Sequence, residues 1–269
     1  MMATQPDAVF SAIHGNHMTN MYDFYKPKLD SEYPEVDGPV SVTTYISALD
    51  ASYARFREKT ARAKKLRLVN GHVNGKSETG FSLDDVDYAV FHAPYGKQVQ
   101  KAFGRLFYND FVNFPSASQF VNVPSPDAIL ATSYTASLTD KNLEKTFIAA
   151  SKAIYAKKVD PSMHCSKRLG NMYTASLYGC LASLLSSVEP SELKGKRLSM
   201  FAFGSGCASS FFTLHVKGDT SEIRQKMDLL KRLASMKVVP CQEYVDALAV
   251  SLLFIYLSDT VLTPTLPAS

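Results

Sequence analysis

The chain has 269 residues, 46% of them hydrophobic and 20% charged, with 13 Gly and 13 Pro. That is globular composition, and it excludes collagen-like, low-complexity and broadly disordered chains. Lys and Arg number 29 against 25 Asp and Glu, a net charge of +4 that suits a polyanionic ligand but is too small and too scattered to argue for nucleic acid.

In chain order, the first forty residues are rich in Asp, Pro and Tyr and read as loop with short extended pieces. From Val42 the apolar positions Val42, Ile46, Leu49, Tyr53 and Phe56 step by three or four, which predicts an amphipathic helix running into the basic stretch Arg55–Arg67. The polar segment Asn70–Thr79 reads as an exposed loop. Tyr88–His92 has the length of a buried strand, and a helix through Val99, Phe103, Leu106 and Phe107 follows it, with Pro94 placed in its first turn. A third helix is expected over Leu143–Tyr155 and a fourth after GNMYT, carrying Leu177, Leu181, Leu184 and Val188 on one face. Arg197–Phe203, the turn Gly204–Gly206 and Ser209–Val216 read as a hairpin. A last helix, capped by Asp219 or Thr220, carries Ile223, Met227, Leu230 and Leu233. Alternating helices and strands make the class α/β.

The four cysteines (Cys165, Cys180, Cys207, Cys241) contain no CxxC pair, so neither a disulfide framework nor a structural zinc site is expected, and a reducing compartment fits. The start MMATQPDAVFSAIHG lacks the pattern of a signal peptide, and the longest apolar run, Ala247–Leu257, falls short of the roughly 20 residues that span a bilayer. A soluble protein is expected, with no membrane partner.

His92 is the most informative residue, because it stands at the carboxyl end of a buried strand, where open α/β sheets place ligands. The following helix offers free N–H groups, and Lys97 and Lys101 share one of its faces. A histidine and two lysines so placed suit a carbonyl with a phosphorylated tail; the alternative is a hydrogen-bonded structural histidine beside two solvated lysines. Asn171 of GNMYT presents an amide to a ligand or caps the helix it opens. The GSG turn, with Ser205 at its centre, admits a ligand to the backbone or only supplies positive φ. Asp23, between aromatics in MYDFYKP, lies near a site or serves as a turn residue. His14 and His17 have no third metal ligand in view, and adjacent His164 and Cys165 point apart on an extended segment. No GxSxG, Walker-type or GxGxxG motif is present.

Five ordered segments carry a resemblance: MYDFYKPKLDSEYPEVDG (Met21–Gly38), YISALDASY (Tyr45–Tyr53), VFHAPYGKQVQKAFGRLFYNDF (Val90–Phe111), GNMYTASLYGCLASLL (Gly170–Leu185) and GKRLSMFAFGSG (Gly195–Gly206). Over Asp7 to Leu248 the chain resembles the hydroxymethylglutaryl-CoA synthase family, within the thiolase-like superfamily. The resemblance implies a thiolase-like α/β fold, mostly its C-terminal half, a mixed sheet with packed helices, expected to be incomplete. It divides the chain into a synthase-like domain over residues 1–248 and a divergent tail over 249–269. The family condenses acetyl-CoA with acetoacetyl-CoA and releases CoA: a cysteine carries the acetyl group, a glutamate removes a methyl proton, and the carbanion attacks the acetoacetyl ketone. By this resemblance His92 holds and polarises acetoacetyl-CoA, Lys97 and Lys101 contact CoA, Asn171 and Ser205 bind substrate, and Asp23 lies near the acetylation site. No cofactor beyond the CoA thioesters themselves is implied. The resemblance also implies a homodimer when complete and a cytoplasmic location, with the mitochondrion left open.

Three departures qualify the match. The cysteine and glutamate of the covalent steps match nothing in this chain, which makes a non-catalytic acyl-CoA-binding protein or dimer partner the alternative. Gly96 stands where the family usually has cysteine, an expected loss of packing under His92. After Leu248 the sequence turns apolar and then Thr/Pro-rich.

Overall fold

The computed structural model describes residues 8–28, 33–69 and 80–250; Asn70–Thr79 and everything beyond Val250 lie outside these. The framework is a four-stranded sheet in the order β1-β6-β5-β4, built from β1 (Ala8–Met18), β4 (Tyr88–Phe91), β5 (Arg197–Gly204) and β6 (Ala208–Val216). The pairs β1–β6 and β6–β5 are antiparallel and β5–β4 is parallel, so the sheet is mixed, as the resemblance implies. Short strands β2 (Phe24–Tyr25) and β3 (Glu35–Val36) pair separately. Among the described residues, those from Lys231 to Val250 belong to a second unit, in which residues 241–250 are helical.

Helix α1 (Gly38–Val69) opens where the Asp37 carboxylate accepts the Val40 N–H at 3.1 Å, satisfying a first-turn donor. Its predicted stripe is the buried one: Ile46, Leu49, Tyr53 and Phe56 pack inward. Cross-strand register places Phe201 opposite Phe211 and Phe203 opposite Ser209 on one sheet face. The α1 side chains meet that face, Tyr45 against Phe201 and Phe56 against Phe211. Leu198, Met200 and Leu214 are buried on the other face, and α8 (Ser176–Ser187) packs along β4 and β5. Burial on both faces is why β5 reads as a continuous apolar run rather than an alternating one.

Strand β1 corrects the expectation of a loop. Phe10 pairs with Leu214 and His14 with Phe212, so the register shifts between them and the two-residue period that marks a strand is lost. The polar run around Gly15 is strand because β6 offers it a ladder. Gly15 also lets the strand touch α1, since a Cβ there would sit 2.0 Å from the Ser52 carbonyl oxygen.

Helix α2 (Gly96–Asn113) starts after Pro94, not on it, because Tyr95 keeps an extended backbone as the cap residue. Short helices α3 (Pro126–Leu130) and α4 (Tyr134–Thr139) follow it. The expected third helix is two, α5 (Lys141–Ala150) and α6 (Lys152–Lys158), divided at Ser151, whose hydroxyl donates back to the Phe147 carbonyl at 2.6 Å. Helices α7 (His164–Leu169) and α9 (Pro190–Leu193) flank α8. The last predicted helix is also divided, into α10 (Ser221–Met227) and α11 (Leu229–Ala234), by Asp228 in the left-handed region. The hairpin of β5 and β6 is as expected.

Candidate functional site

His92 continues the edge of β4 by one residue. Its N–H donates to the Phe201 carbonyl at 2.8 Å, and its own carbonyl accepts the buried Tyr45 hydroxyl at 2.7 Å. Both backbone groups are thereby used, and the ring lies beside the packed pair Tyr45 and Phe203, with centroids 6.5 and 6.2 Å away. The residue is 9% exposed, and its ring nitrogens take no hydrogen-bond partner among the described residues. Burial lowers the imidazole from 6.5 to about 4, so at neutral pH it is an uncharged group with one N–H to donate.

The ring faces a cavity of about 290 Å³ whose lining also includes Tyr45, Gln98, Asn171, Tyr173, Phe203 and Ser205. Three distant stretches of sequence meet there. The end of β5 supplies Phe203, Gly204 and, in the turn, Ser205. The GNMYT segment supplies Asn171, whose Oδ1 accepts the Tyr173 N–H at 2.8 Å. Two left-handed residues, Gly170 (φ 72°) and Tyr173 (φ 49°), fold that segment over the cavity. Asn171 thus forms a local turn and lines the cavity, uniting the two roles its position suggested. Ser176 fastens this segment to the histidine strand: its hydroxyl accepts from Ala93 N at 2.9 Å and lies 3.3 Å from the Ala93 carbonyl.

Asp23 does not line the cavity. It is completely buried below the GSG turn, where Oδ1 accepts the Gly206 N–H at 3.2 Å while Oδ2 has no partner. Its contribution is to hold the turn that carries Ser205. The two lysines also separate. Lys97 is exposed on the first turn of α2, whereas Lys101 lines a second cavity and pairs with Glu144 at 3.4 Å. Gly96 removes no packing from His92, because a Cβ at that position would meet nothing within 4 Å.

Cys165, Cys180 and Cys207 are buried and Cys241 is exposed; none lines the His92 cavity. Burial pushes the Cys180 thiol up to about 12, and burial followed by the Asp23 charge raises Cys207, so both disfavour the thiolate. The cavity lining contains no carboxylate either. Among the described residues no cluster of His, Cys, Asp or Glu could hold a metal ion, and no helix is long and apolar enough to cross a membrane.

Gln98, Tyr45 and Ser176 were not singled out from the sequence. Tyr45 and Ser176 stand inside matched segments, but their hydroxyls serve the backbone beside His92, a role visible only in three dimensions. Gln98 also stands inside a matched segment, as a polar residue next to the apolar stripe of α2.

A mixed sheet wrapped by helices, with a neutral histidine at a strand end, fits the thiolase-like fold that the resemblance implies. The family model described as "Hydroxymethylglutaryl-coenzyme A synthase C terminal" matches residues 8–258, running past Leu248, and the chain belongs to the hydroxymethylglutaryl-CoA synthase family. It is 63% identical over 241 residues to the hydroxymethylglutaryl-CoA synthase of Ganoderma lucidum, covering 90% of this chain and 50% of that protein. It is 40% identical over 248 residues to the human mitochondrial hydroxymethylglutaryl-CoA synthase, covering 90% and 47%. Among solved structures, MvaS in complex with 3-hydroxy-3-methylglutaryl coenzyme A superposes with a TM-score of 0.67 at 29% identity, covering 90% of this chain and 51% of that one. The chain spans about half the length of the relatives it matches. The family is one of acyltransferases.

Proposed function

We propose that this chain supplies the acceptor side of a hydroxymethylglutaryl-CoA synthase, holding acetoacetyl-CoA while an acetyl-derived carbanion attacks its ketone. The observation that carries the reading is the convergence of His92, Asn171 and Ser205 on one cavity from three separated segments. A neutral imidazole is the right donor for a ketone oxygen that gains negative charge during the attack, because its N–H is aimed before the charge develops. The relative solved with 3-hydroxy-3-methylglutaryl coenzyme A supports a CoA thioester as ligand. CoA thioesters are the substrates in this reading, and no further cofactor is called for.

The other half of the reaction needs a thiolate and a general base. Among the described residues the cavity lining offers neither. The chain therefore works with residues from elsewhere, either in a longer polypeptide or in a partner such as a second synthase subunit. A non-catalytic acyl-CoA-binding protein is the second reading, favoured by that same lack of a thiol and a carboxylate. Two assays on the 269-residue chain test the proposal. Calorimetry is expected to show acetoacetyl-CoA binding that falls about tenfold or more in His92→Ala, while product assays show no hydroxymethylglutaryl-CoA formed by the chain alone. Unchanged binding in His92→Ala would overturn the role of the histidine, and turnover would mean that another residue serves as nucleophile. The transcript preceding Met1 separates the two readings: an open frame with a cysteine in a small, Gly-rich context supports the synthase.

A further inference from the structure

Gln98 is 1% exposed on the first turn of α2, yet it lines the same cavity as His92. Its two amide ends are in different states. Oε1 accepts the Tyr95 hydroxyl at 2.9 Å, and the nitrogen is the end left over. Nε2, with two N–H groups, has no partner. A buried donor is normally satisfied, and one left unmade beside a cavity calls for a ligand atom to complete it. Among the described residues the cavity lining contains no Lys, Arg, Asp or Glu, and His92 is uncharged at neutral pH, so the described donors facing a ligand there are neutral. Neutral donors suit a neutral acceptor, a carbonyl oxygen rather than an anionic group, which would need a counter-charge once removed from water.

We propose that Gln98 is a specificity-determining residue for the acyl portion of the ligand, its Nε2 donating to a carbonyl oxygen of the acyl chain bound beside His92, with Tyr95 tethering the amide's other end. The assignment rests on the reading of the cavity as an acyl-CoA site. It predicts discrimination between thioesters of equal chain length that differ only in an inner carbonyl, because a site that provides a donor penalises an analogue unable to accept from it.

The test compares acetoacetyl-CoA, butyryl-CoA and CoA as probes in calorimetric titrations of the 269-residue chain. The wild-type chain is expected to prefer acetoacetyl-CoA over butyryl-CoA. Gln98→Met, which keeps the volume and removes both donors, is expected to reduce that preference about tenfold while leaving the affinity for CoA itself unchanged. Tyr95→Phe, at a position 45% exposed where folding is not at stake, frees the amide to turn over and is expected to reduce the preference about threefold. Thioesters that bind with the same preference in wild type, Gln98→Met and Tyr95→Phe would overturn the role of Gln98 and leave the cavity's identity standing. Loss of CoA affinity in Gln98→Met would also overturn it, since the residue would then be shaping the site as a whole. Failure of the wild-type chain to bind any of the three probes would overturn the acyl-CoA reading and this assignment with it.

Discussion

The two cavities lined by helix α2 share Val42, but their polar groups are used in opposite ways. In the second cavity, about 420 Å³ between α1, α2, α4 and α5, the polar groups satisfy one another. Arg105 donates to both oxygens of Asp50 at 3.1 and 2.9 Å and to the carbonyl and hydroxyl of Ser137, each at 3.0 Å. Asn109 completes Asp50 at 2.7 Å. In the His92 cavity the imidazole and the Gln98 amide nitrogen have no hydrogen-bond partner among the described residues. Of these two the second is the larger, at about 420 against about 290 Å³. The unspent donors favour the smaller one as the site of the proposed ligand, and the ion pairs read as a joint between helices.

If that division is right, the largest effect on stability comes from the joint. Arg105→Ala leaves the Asp50 carboxylate buried without its cation, and breaking such a pair from one side costs about 3–5 kcal/mol. Urea denaturation followed by circular dichroism measures the loss. A cost below about 1 kcal/mol would mean that water enters to replace Arg105 and that the second cavity is as open to ligands as the first.

The next effect is on pH dependence and has opposite signs in the two regions. His92 has a folded value of about 4 against an ordinary 6.5. Between these values the unfolded chain binds a proton that the folded chain does not, so stability falls as pH drops from about 6.5 towards about 4, by about 3 kcal/mol at most. Asp50 acts in the reverse sense: burial raises its carboxyl, so its contribution declines as pH climbs above the ordinary 3.8. Denaturation curves at pH 7, 5.5 and 4.5 for wild type and His92→Gln isolate the first effect, because the glutamine does not titrate. Parallel pH dependence in the two proteins would show that His92 is solvated, and the contrast between the cavities would narrow.

Much of this arrangement was legible in the sequence. The stripe on α1, the strand ending at His92, the hairpin with its GSG turn and the helix after GNMYT all follow from short-range periodicity and turn residues, and each reappears in the structure. The convergence of His92, Asn171 and Ser205 was reached through family resemblance, since nothing in their spacing shows that they meet. Strand β1 was hidden because its register shift breaks the alternation and its middle is polar. The breaks at Ser151 and Asp228 were hidden because apolar spacing carries across a helix interruption. The fates of Lys97 and Lys101 were hidden for a different reason. Four residues apart they share a helix face, but one turn of rise is enough to take the second from an exposed position to the lining of a cavity.

The smallest effect is also the one that most sharpens the contrast. Lys101 sits against Glu144 with side chains 19% and 28% exposed, so its charge is already answered. Lys97 is exposed, makes no ion pair among the described residues, and follows closely on Pro94 and Tyr95, which line the His92 cavity. A phosphorylated tail leaving that cavity would meet Lys97 and not Lys101. Lys97→Ala is therefore expected to weaken CoA about threefold in low salt, with the difference shrinking as salt is raised, as befits an exposed charge. Lys101→Ala is expected to leave CoA affinity unchanged and to cost less than about 1 kcal/mol in stability, the worth of a partly exposed pair. Equal losses of CoA affinity in the two variants would mean that the tail lies along the whole helix face and that the Glu144 pair opens when it binds. A loss confined to Lys97 would place the exit of the ligand at the N-terminal turn of α2, on the same side as the unspent donors.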